Sequence, residues 1–479
     1  MSTTHTIASP PKAPIQPGLV RVPTTYAATE ALRDLLRHDF VSHHCFFNDQ
    51  GFHNHVGHHL VSAYDLGAPP ALLKRIYEAT DYLRPLDFYG PWEEITEKNW
   101  TTRLGDRTAY ASYVAFFSDE IQKNGAAETI KRYIMAPEAN GNGAMMFARF
   151  FEGVIHPFLQ AGYGVEVGQD YMIAQGIATG AVTELELVYA LLDNSGLPEL
   201  GPPTKGVTLL ALLREIYDSP ILVPPPYKAG MTSRQCLDAQ DPTRAAEIKR
   251  ICSKWSVDAS LTAAELDARV EECLWLSTLL IGATSRPGRT PRMHFFMMHL
   301  LTSATCLPSL FKVFPDPVHK AQLLQGYLRL AAALIVGFGR PRIDIQLLMS
   351  YTEFPRPPVT ALSGAHAVGD PSVAAEADPW PAIVLNSLYH REPHVVKAVR
   401  ALYYSAQRCG TAPSGSAPGA FAADGTETHV GSGKLDGTVF VRTAGVLSET
   451  MGWVAFGAKD APWDFSALGY DAAWDGPEA

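Results

Sequence analysis

Apolar residues recur every three or four positions along nearly the whole chain from residue 26 onward. This spacing is typical of amphipathic helices packed on a core. It predicts helices over 28–38, 72–83, 110–122, 128–135, 145–159, 184–192, 209–217, 263–280, 294–311, 317–336, 380–388 and 394–406. The alternation typical of a strand is confined to one weak candidate, 437–444. The pattern therefore predicts an all-α fold, or one nearly so.

The domain organisation follows from where this periodicity is missing. Residues 1–25 are rich in proline and threonine, which predicts a loose N-terminal arm, lying on the surface or disordered. The 479 residues would allow two to four domains. However, the chain has no internal repeat and no break in composition. We therefore expect one helical catalytic domain over 26–479, with long surface loops at 195–206, 219–242, 354–379 and 410–433.

Charge and hydropathy exclude several classes of function. With 39 basic and 49 acidic side chains the formal charge is −10, and no basic run offers a surface for nucleic acid. The N-terminus has no apolar leader, and the most apolar stretches, 274–283 and 328–338, are shorter than the ~20 residues of a membrane span. We expect a soluble, cytoplasmic protein. The six scattered cysteines form no C-x-x-C pair and are predicted to be buried free thiols.

The histidines are strongly clustered. Residues 43–59 read HHCFFNDQGFHNHVGHH, with six histidines in seventeen positions. A helix beginning near Asn54 would place His55 and His59 on one face, with His58 on its flank. Two imidazoles spaced by four residues can hold one metal ion, although no glutamate follows His55 as in the zinc proteases. The alternative is a set of surface or hydrogen-bonded core histidines.

A second cluster lies in the segment HREPHVVK. His390, His394 and Lys397 would share a face if one helix ran through them, but Pro393 is better placed as a first helical residue. A charged lysine would repel a metal cation. A neutral amine, or a carbamate formed with carbon dioxide, would serve as a ligand. The alternative is that Lys397 extends to solvent.

Two further histidines stand singly in apolar surroundings. His156 precedes Pro157, where the helix is predicted to kink or end, and His299 lies in MHFFMMHLLTSA. Each alone would be interpreted as a hydrogen-bonded core residue. Together with the two clusters, they supply one histidine from each of four helices, which is how helical bundles build internal metal sites.

Five segments taken together carry a resemblance to a known family. They are HHCFFNDQGFHNHVGHHL, GVIHPFLQAGYGVE, FFMMHLLTSA, EPHVVKAVRALYY and WDFSALGYDAAWDGPE. In this order they resemble the questin-oxidase-like family of fungal polyketide enzymes. The resemblance implies oxygen-dependent opening of an anthraquinone or xanthone-type ring in secondary metabolism, often described as a Baeyer–Villiger oxidation. The family includes a non-haem iron dioxygenase type with four histidines and a carboxylated lysine.

The resemblance also implies a set of metal ligands. The matching positions are His394 and Lys397 of the H-x-x-K motif, His299, His156, and one of His55, His58 and His59. The chain departs from the pattern at Gln160, where some relatives have a second histidine. If that second histidine were the ligand, His390 would replace His156 in this chain.

The sequence leaves several hypotheses for function. The leading one is a dioxygenase that uses Fe(II), dioxygen and a carbamate on Lys397 to cleave a C–C bond of a hydroxyanthraquinone. Its alternatives are a Baeyer–Villiger-type monooxygenase using a nicotinamide cofactor and a non-catalytic metal-containing protein that binds the pigment.

Sequence motifs weigh against two other classes of oxygenase. No G-x-G-x-x-G follows a strand, which weighs against a Baeyer–Villiger enzyme that depends on flavin and nicotinamide. A di-iron bundle would use Glu152, His156 and Glu166, but a repeated Glu-x-x-His is missing. The aromatic segments FARFF and HFFMM would either line a pocket for a flat ligand or pack in the core.

Overall fold

Eighteen α-helices make up the regular structure of the computed structural model, which describes residues 7, 9–90, 93–201, 206–230, 241–358 and 377–475. The helices are α1 Tyr26–Ser42, α2 Val56–Asp65, α3 Pro70–Glu78, α4 Tyr110–Asn124, α5 Ala126–Ile130, α6 Pro137–Asn140, α7 Met146–Val167, α8 Asp170–Val182, α9 Leu209–Asp218, α10 Pro242–Cys252, α11 Ala263–Gly282, α12 Phe295–Ala304, α13 Leu307–Leu310, α14 Pro317–Gly337, α15 Ile345–Ser350, α16 Trp380–Leu388, α17 Pro393–Cys409 and α18 Val439–Met451. The described residues form no sheet, and the predicted all-α fold is confirmed.

The helix boundaries follow local sequence signals. The Thr25 hydroxyl accepts the Ala28 N–H at the start of α1, and Thr262 and Glu265 form a reciprocal capping box at the start of α11. Pro393 is the first residue of α17, as predicted, because a first-turn residue needs no backbone donor. These caps satisfy N–H groups that have no partner within the helix.

Four helices surround the centre of the molecule. Helix α2 packs against α7 and α17, and α12 packs against the same two, so each of the four contacts two of the others. Every residue of α2 and of α12 is buried. This arrangement places the clustered histidines of the sequence inside the protein rather than on its surface.

The N-terminal arm is held to this core over the residues that the structure describes. The Asp65 carboxylate accepts the backbone N–H groups of Leu19, Val20 and Arg21, and the Gln16 N–H bonds to the Val167 carbonyl. The Val20 side chain is buried. The described part of residues 1–25 therefore lies along the surface in a defined path, since hydrogen bonds to α2 and α7 fix it.

The predicted strand at 437–444 is wrong. Helix α18 covers residues 439–444 of this segment, and its Phe440 ring lies 4.9 Å from the Trp275 ring of α11. The β-branched residues favour a strand locally, but tertiary packing outweighs that preference. Apolar contact with α11 and α17 buries one face of the segment as a helix.

The predicted helix over 184–192 is also wrong for most of its length. Only Tyr189–Leu191 forms a single 3₁₀ turn. The buried Glu152 carboxylate accepts the N–H groups of Leu187 and Val188. These amides are consequently unavailable to a helix, and the backbone follows the carboxylate instead.

Other predictions fall partly outside the described residues, including most of the loop at 354–379, residues 231–240 of the second loop, and Cys236. The remaining five cysteines are buried and unpaired. A search of the described helices found none with the length and apolar character needed to cross a membrane.

Candidate metal centre

Four buried histidines meet between the central helices. His55 stands at the N-cap of α2, and His156, His299 and His394 belong to α7, α12 and α17. The Nε2 atoms of His55 and His156 are 2.9 Å apart, and ring nitrogens of His55, His156 and His394 lie within 4.8 Å of one another. The ring of His299 is 5.0 Å from the rings of both His156 and His394. The ring nitrogens of His55, His156 and His394 thus form one compact group, and the His299 ring lies against two of these three rings.

The position of His156 depends on a break in α7. Pro157 cannot donate to the carbonyl of Gly153, four residues before it, and the backbone turns left-handed at Gly153, Val154 and Ile155. Positive φ values of 52° and 64° are strained at β-branched residues. The freed Gly153 carbonyl accepts a hydrogen bond from His156 Nδ1 at 2.6 Å. The proline that interrupts the helix therefore also frees the Gly153 carbonyl, which orients the imidazole.

Hydrogen bonds fix the tautomer of three imidazoles. His156 Nδ1 donates to the Gly153 carbonyl, His299 Nδ1 donates to the Phe295 carbonyl at 2.9 Å, and His394 Nδ1 donates to the Glu392 carboxylate. A neutral imidazole with its proton on Nδ1 presents a bare lone pair at Nε2. The Nε2 atoms of His299 and His394 are buried without a hydrogen-bond partner. These rings therefore present free nitrogen lone pairs inside the protein, and their Nδ1 hydrogen bonds are of the kind that usually orient metal-bound histidines.

Burial keeps these imidazoles uncharged. It lowers the pKa of His394 to about 4 and holds the pKa values of His55, His156 and His299 well below 6.5, with a further reduction from neighbouring positive charge. Neutral imidazole is the form that binds metal. The set is therefore ready to bind a cation at neutral pH without first losing protons.

Lys397 lies one turn after His394 and is buried among these rings. Its side-chain nitrogen has no hydrogen-bond partner, and burial lowers its pKa to about 7. The charge of Lys397 in turn lowers the pKa of His55, His156 and His299. A substantial fraction of the amine is neutral at physiological pH, and the neutral amine is the form that reacts with carbon dioxide.

The donor set fits one transition-metal ion. Two nitrogen ligands that are each ~2.1 Å from one ion lie no more than about 4 Å apart, and the His55 and His156 Nε2 atoms, at 2.9 Å, meet this limit. Nearby, His299 Nε2, His394 Nε2 and Lys397 Nζ are buried without a hydrogen-bond partner and are available as further donors. Imidazole suits iron, copper, nickel and zinc.

Comparison with known proteins identifies the family. The sequence profile of the family described as "Questin oxidase-like" matches residues 52–402, which is most of the chain. The chain belongs to the questin oxidase-like family. The match spans all five residues of the candidate metal centre, from His55 to Lys397.

Individual relatives agree with this assignment. The chain is 26% identical to a questin oxidase of Aspergillus fumigatus, over 62% of this chain and 68% of that protein. It is 24% identical to a questin oxidase of Aspergillus terreus, over 81% and 83%. It is also 24% identical to a Baeyer–Villiger oxidase of Pestalotiopsis microspora, over 81% and 83%. The predicted family is confirmed, and this questin oxidase-like protein is an oxidoreductase.

The structure separates the three candidate histidines of α2. The helix begins at Val56 rather than near Asn54, so His55 precedes it and has a non-helical backbone. His58 packs on the Tyr163 ring at 4.9 Å, beside a small polar cavity of about 20 Å³. His59 lines a pocket on the outer side of the centre. Of the three, His55 has its ring nitrogen among those of His156 and His394.

The alternative ligand His390 has both ring nitrogens in use. Its Nε2 donates to the Met451 carbonyl at 3.1 Å, and its Nδ1 accepts the Glu392 N–H. Gln160 lies one turn after His156 and donates to the Gln175 side chain at 2.9 Å. The geometry therefore favours His156 over His390 as the fourth imidazole.

The carboxylates of a di-iron centre are bound elsewhere. Glu152 accepts backbone N–H groups of Leu187 and Val188, and Glu166 is paired with the buried Arg400. Both carboxylates are thereby held by partners other than the histidines. This arrangement supports a mononuclear centre.

Sequence reasoning missed three contributors to the centre. Glu392 orients His394, the turn Gly153–Ile155 orients His156, and the His53 ring stacks on the His156 ring at 4.1 Å. An acidic residue two positions before a predicted histidine ligand was the available signal for Glu392. No sequence signal was available for the strained turn or for the ring stacking, since neither follows a local spacing rule.

A pocket of about 640 Å³ opens beside the centre, and we call it the outer pocket. Its lining residues are His55, Val56, His59, Leu72, Arg75, Ile76, Ala79, Thr80, Tyr82, Leu388, Tyr389, His390, Arg391 and Pro393. This volume is typical of small-molecule sites. The segments FARFF and HFFMM are not part of this lining. Phe295 instead covers the rings of His299 and His394, at 4.8 and 4.9 Å.

We expect Glu392→Gln to weaken metal binding about 10- to 100-fold, because outer-shell partners of metal-bound histidines have effects of this size. The amide no longer offers His394 Nδ1 a charged acceptor. Titration with Fe(II) under nitrogen measures the affinity. Glu353→Gln is a matched control, since Glu353 is 39% exposed and paired with Arg442, while Glu392 is 37% exposed. Equal affinities in the two variants would contradict this role of Glu392.

Proposed function

We propose that this questin oxidase-like protein is an Fe(II)-dependent dioxygenase that opens the ring of a hydroxyanthraquinone-type polyketide in fungal secondary metabolism. The observation that carries the proposal is the convergence of four uncharged imidazoles and an unpartnered, buried lysine in a member of an oxidase family. Two relatives are named questin oxidases, which supports an aromatic polyketide as substrate.

In this proposal the metal is held by His55, His156, His299, His394 and a carbamate on Lys397. Bound Fe(II) supplies the one-electron chemistry that dioxygen needs in order to react with an electron-rich aromatic ring. A carbamate adds one negative charge to a site of neutral imidazoles, which favours a divalent cation. The buried, neutral amine of Lys397 is suited to forming that carbamate.

The remaining residues position the substrate and exclude water. The aromatic ring would enter the outer pocket, which reaches His55 and His59. The His59 Nε2 atom is buried without a partner, and burial lowers the pKa of this imidazole to about 3. It would therefore stay uncharged and accept a hydrogen bond from a phenol hydroxyl. Phe295, stacked on Phe465 at 4.4 Å, shields His299 and His394 from solvent.

A Baeyer–Villiger-type monooxygenase is the second candidate. The relative named a Baeyer–Villiger oxidase matches as much of this chain as the questin oxidase of Aspergillus terreus does. That reaction inserts one oxygen atom beside a carbonyl, and the other atom leaves as water at the expense of a reductant such as a nicotinamide cofactor. A dioxygenase places both atoms in the product. Its balance with one O₂ then needs the anthraquinone in its two-electron-reduced hydroquinone form, so the two electrons are supplied before dioxygen reacts.

Metal analysis and isotope labelling test the proposal. We expect about one iron per chain by mass spectrometry. We also expect the chemically prepared hydroquinone of a trihydroxyanthraquinone to give, under ¹⁸O₂, a product that carries two labelled atoms. One labelled atom and a requirement for reduced nicotinamide would favour the monooxygenase. Protein that binds no iron after anaerobic loading would contradict the metal-dependent mechanism. Bound zinc without oxygen consumption would support the metal-containing binding protein instead.

A further inference from the structure

Two arginines line the outer pocket without an acidic partner among the residues that the structure describes. Arg75 belongs to α3, and Arg391 lies between α16 and α17. Both side chains are exposed, and within the described part of the chain neither guanidinium has a hydrogen bond or salt bridge. Other arginines of this acidic protein are paired, including Arg84 with Asp49 and Arg408 with Asp267. Two positive charges on one pocket, neither of them paired within the described ranges, favour the binding of an anion there.

The same pocket presents aromatic and apolar surface. Tyr82 and Tyr389 line it and are 50% and 52% exposed, so both rings are open to a ligand. Leu72 and Ile76 of α3 form an apolar wall. Tyrosine rings bind flat aromatic ligands by stacking and retain a hydroxyl for water.

We propose that the outer pocket selects polycyclic phenols that carry a carboxylate, which Arg75 and Arg391 bind at the mouth while the rings lie against Tyr82 and Tyr389. This inference rests on the proposed function, since it deepens the substrate class of the same site. The guanidinium fork matches a carboxylate with two parallel hydrogen bonds. Because both arginines are exposed, solvent weakens the attraction, and the selectivity is moderate rather than absolute.

A pair of probes that differ only in charge tests this inference. They are 1,8-dihydroxyanthraquinone and 4,5-dihydroxyanthraquinone-2-carboxylate, titrated by fluorescence against the metal-loaded protein under nitrogen, so that no turnover occurs. We expect the carboxylate to bind about tenfold more tightly, which corresponds to 1.4 kcal/mol. In the double variant Arg75→Gln, Arg391→Gln the preference falls below twofold, and affinity for the uncharged probe is retained.

Lys74→Gln provides the matched control. Lys74 is exposed on α3 next to Arg75 but does not line the pocket, so its loss should leave the preference intact. Equal binding of both probes by the unaltered protein, an unchanged preference in the double variant, or failure of both probes to bind would each overturn the inference. A carboxylate preference without any oxygen consumption would instead leave it standing and contradict the proposed oxygenase reaction.

Discussion

Replacing Lys397 with methionine is expected to remove bound iron and activity together. Methionine has nearly the same length and fills the buried space, but it accepts no carbon dioxide and provides no anionic ligand. Removing a residue that only hydrogen-bonds to a metal ligand lowers metal affinity or activity by up to about 100-fold. If Lys397 is itself a ligand, its removal should lower metal affinity by at least as much. Iron per chain and the rate of oxygen consumption with a hydroxyanthraquinone measure the two effects.

The pH dependence gives this prediction a specific signature. The pKa of Lys397 is lowered to about 7 by burial, so the amine is protonated below pH 7 and neutral above it. The histidines stay uncharged throughout, since the pKa of His394 is about 4 and those of the other three are well below 6.5. Iron loading in bicarbonate should therefore rise between pH 6 and pH 8. In Lys397→Met, any residual loading should not change over this range.

Stability of the metal-free protein distinguishes loss of a ligand from loss of the fold. A buried amine without a partner costs about 1–3 kcal/mol, so Lys397→Met should be at least as stable as the unaltered chain without metal. The pKa of Lys397 is about 7 in the folded protein and 10.5 in a free lysine, so between about pH 7 and 10 the unfolded chain binds the lysine proton and the folded protein does not. The free energy of unfolding of the unaltered protein therefore rises with pH in that range. Full iron content and activity in Lys397→Met would show that the lysine is not a ligand.

Replacing Arg400 with methionine is expected to destabilise the fold by about 3–5 kcal/mol. Arg400 is 2% exposed and pairs with two buried carboxylates, donating from Nε to Asp65 at 2.7 Å and from a terminal nitrogen to Glu166. Burial already raises the pKa of Glu166 to about 7. Removing the cation would leave both carboxylates buried without it, and Asp65 also holds the N-terminal arm. The free energy of unfolding in urea measures the loss.

Arg408 on the same helix provides the control for Arg400. Its side chain is 20% exposed and contacts Asp267 and Glu271, which are 54% and 36% exposed. Exposed ion pairs contribute about 0–1 kcal/mol, so Arg408→Met should change stability by no more than that. Similar losses in the two variants would show that burial of the Arg400 ion pairs is not what stabilises the protein.

Much of the fold was predictable because helices follow local rules. The spacing of apolar residues gave the all-α class, and Pro393 marked the start of α17. The predictions for 437–444 and 184–192 were wrong for a common reason. The helix at 439–451 is stabilised by packing on α11 and α17, and residues 187–188 are bound by a carboxylate from a distant part of the chain. Neither influence is visible in a local window.

The spacing of histidines along the chain was enough to show that four separate segments supply them and that Lys397 follows His394 by one turn. It left open which of His55, His58 and His59 lies beside His156 and His394, and the packing of the helices selects His55. His55 precedes α2, and its direction depends on how α2 crosses α7 and α17. The same holds for the strained turn that aims His156 and for the pocket that brings Arg75 and Arg391 together. Spacing along one helix fixes which residues share a face, but the distance between side chains on different helices is set by the packing of the whole core.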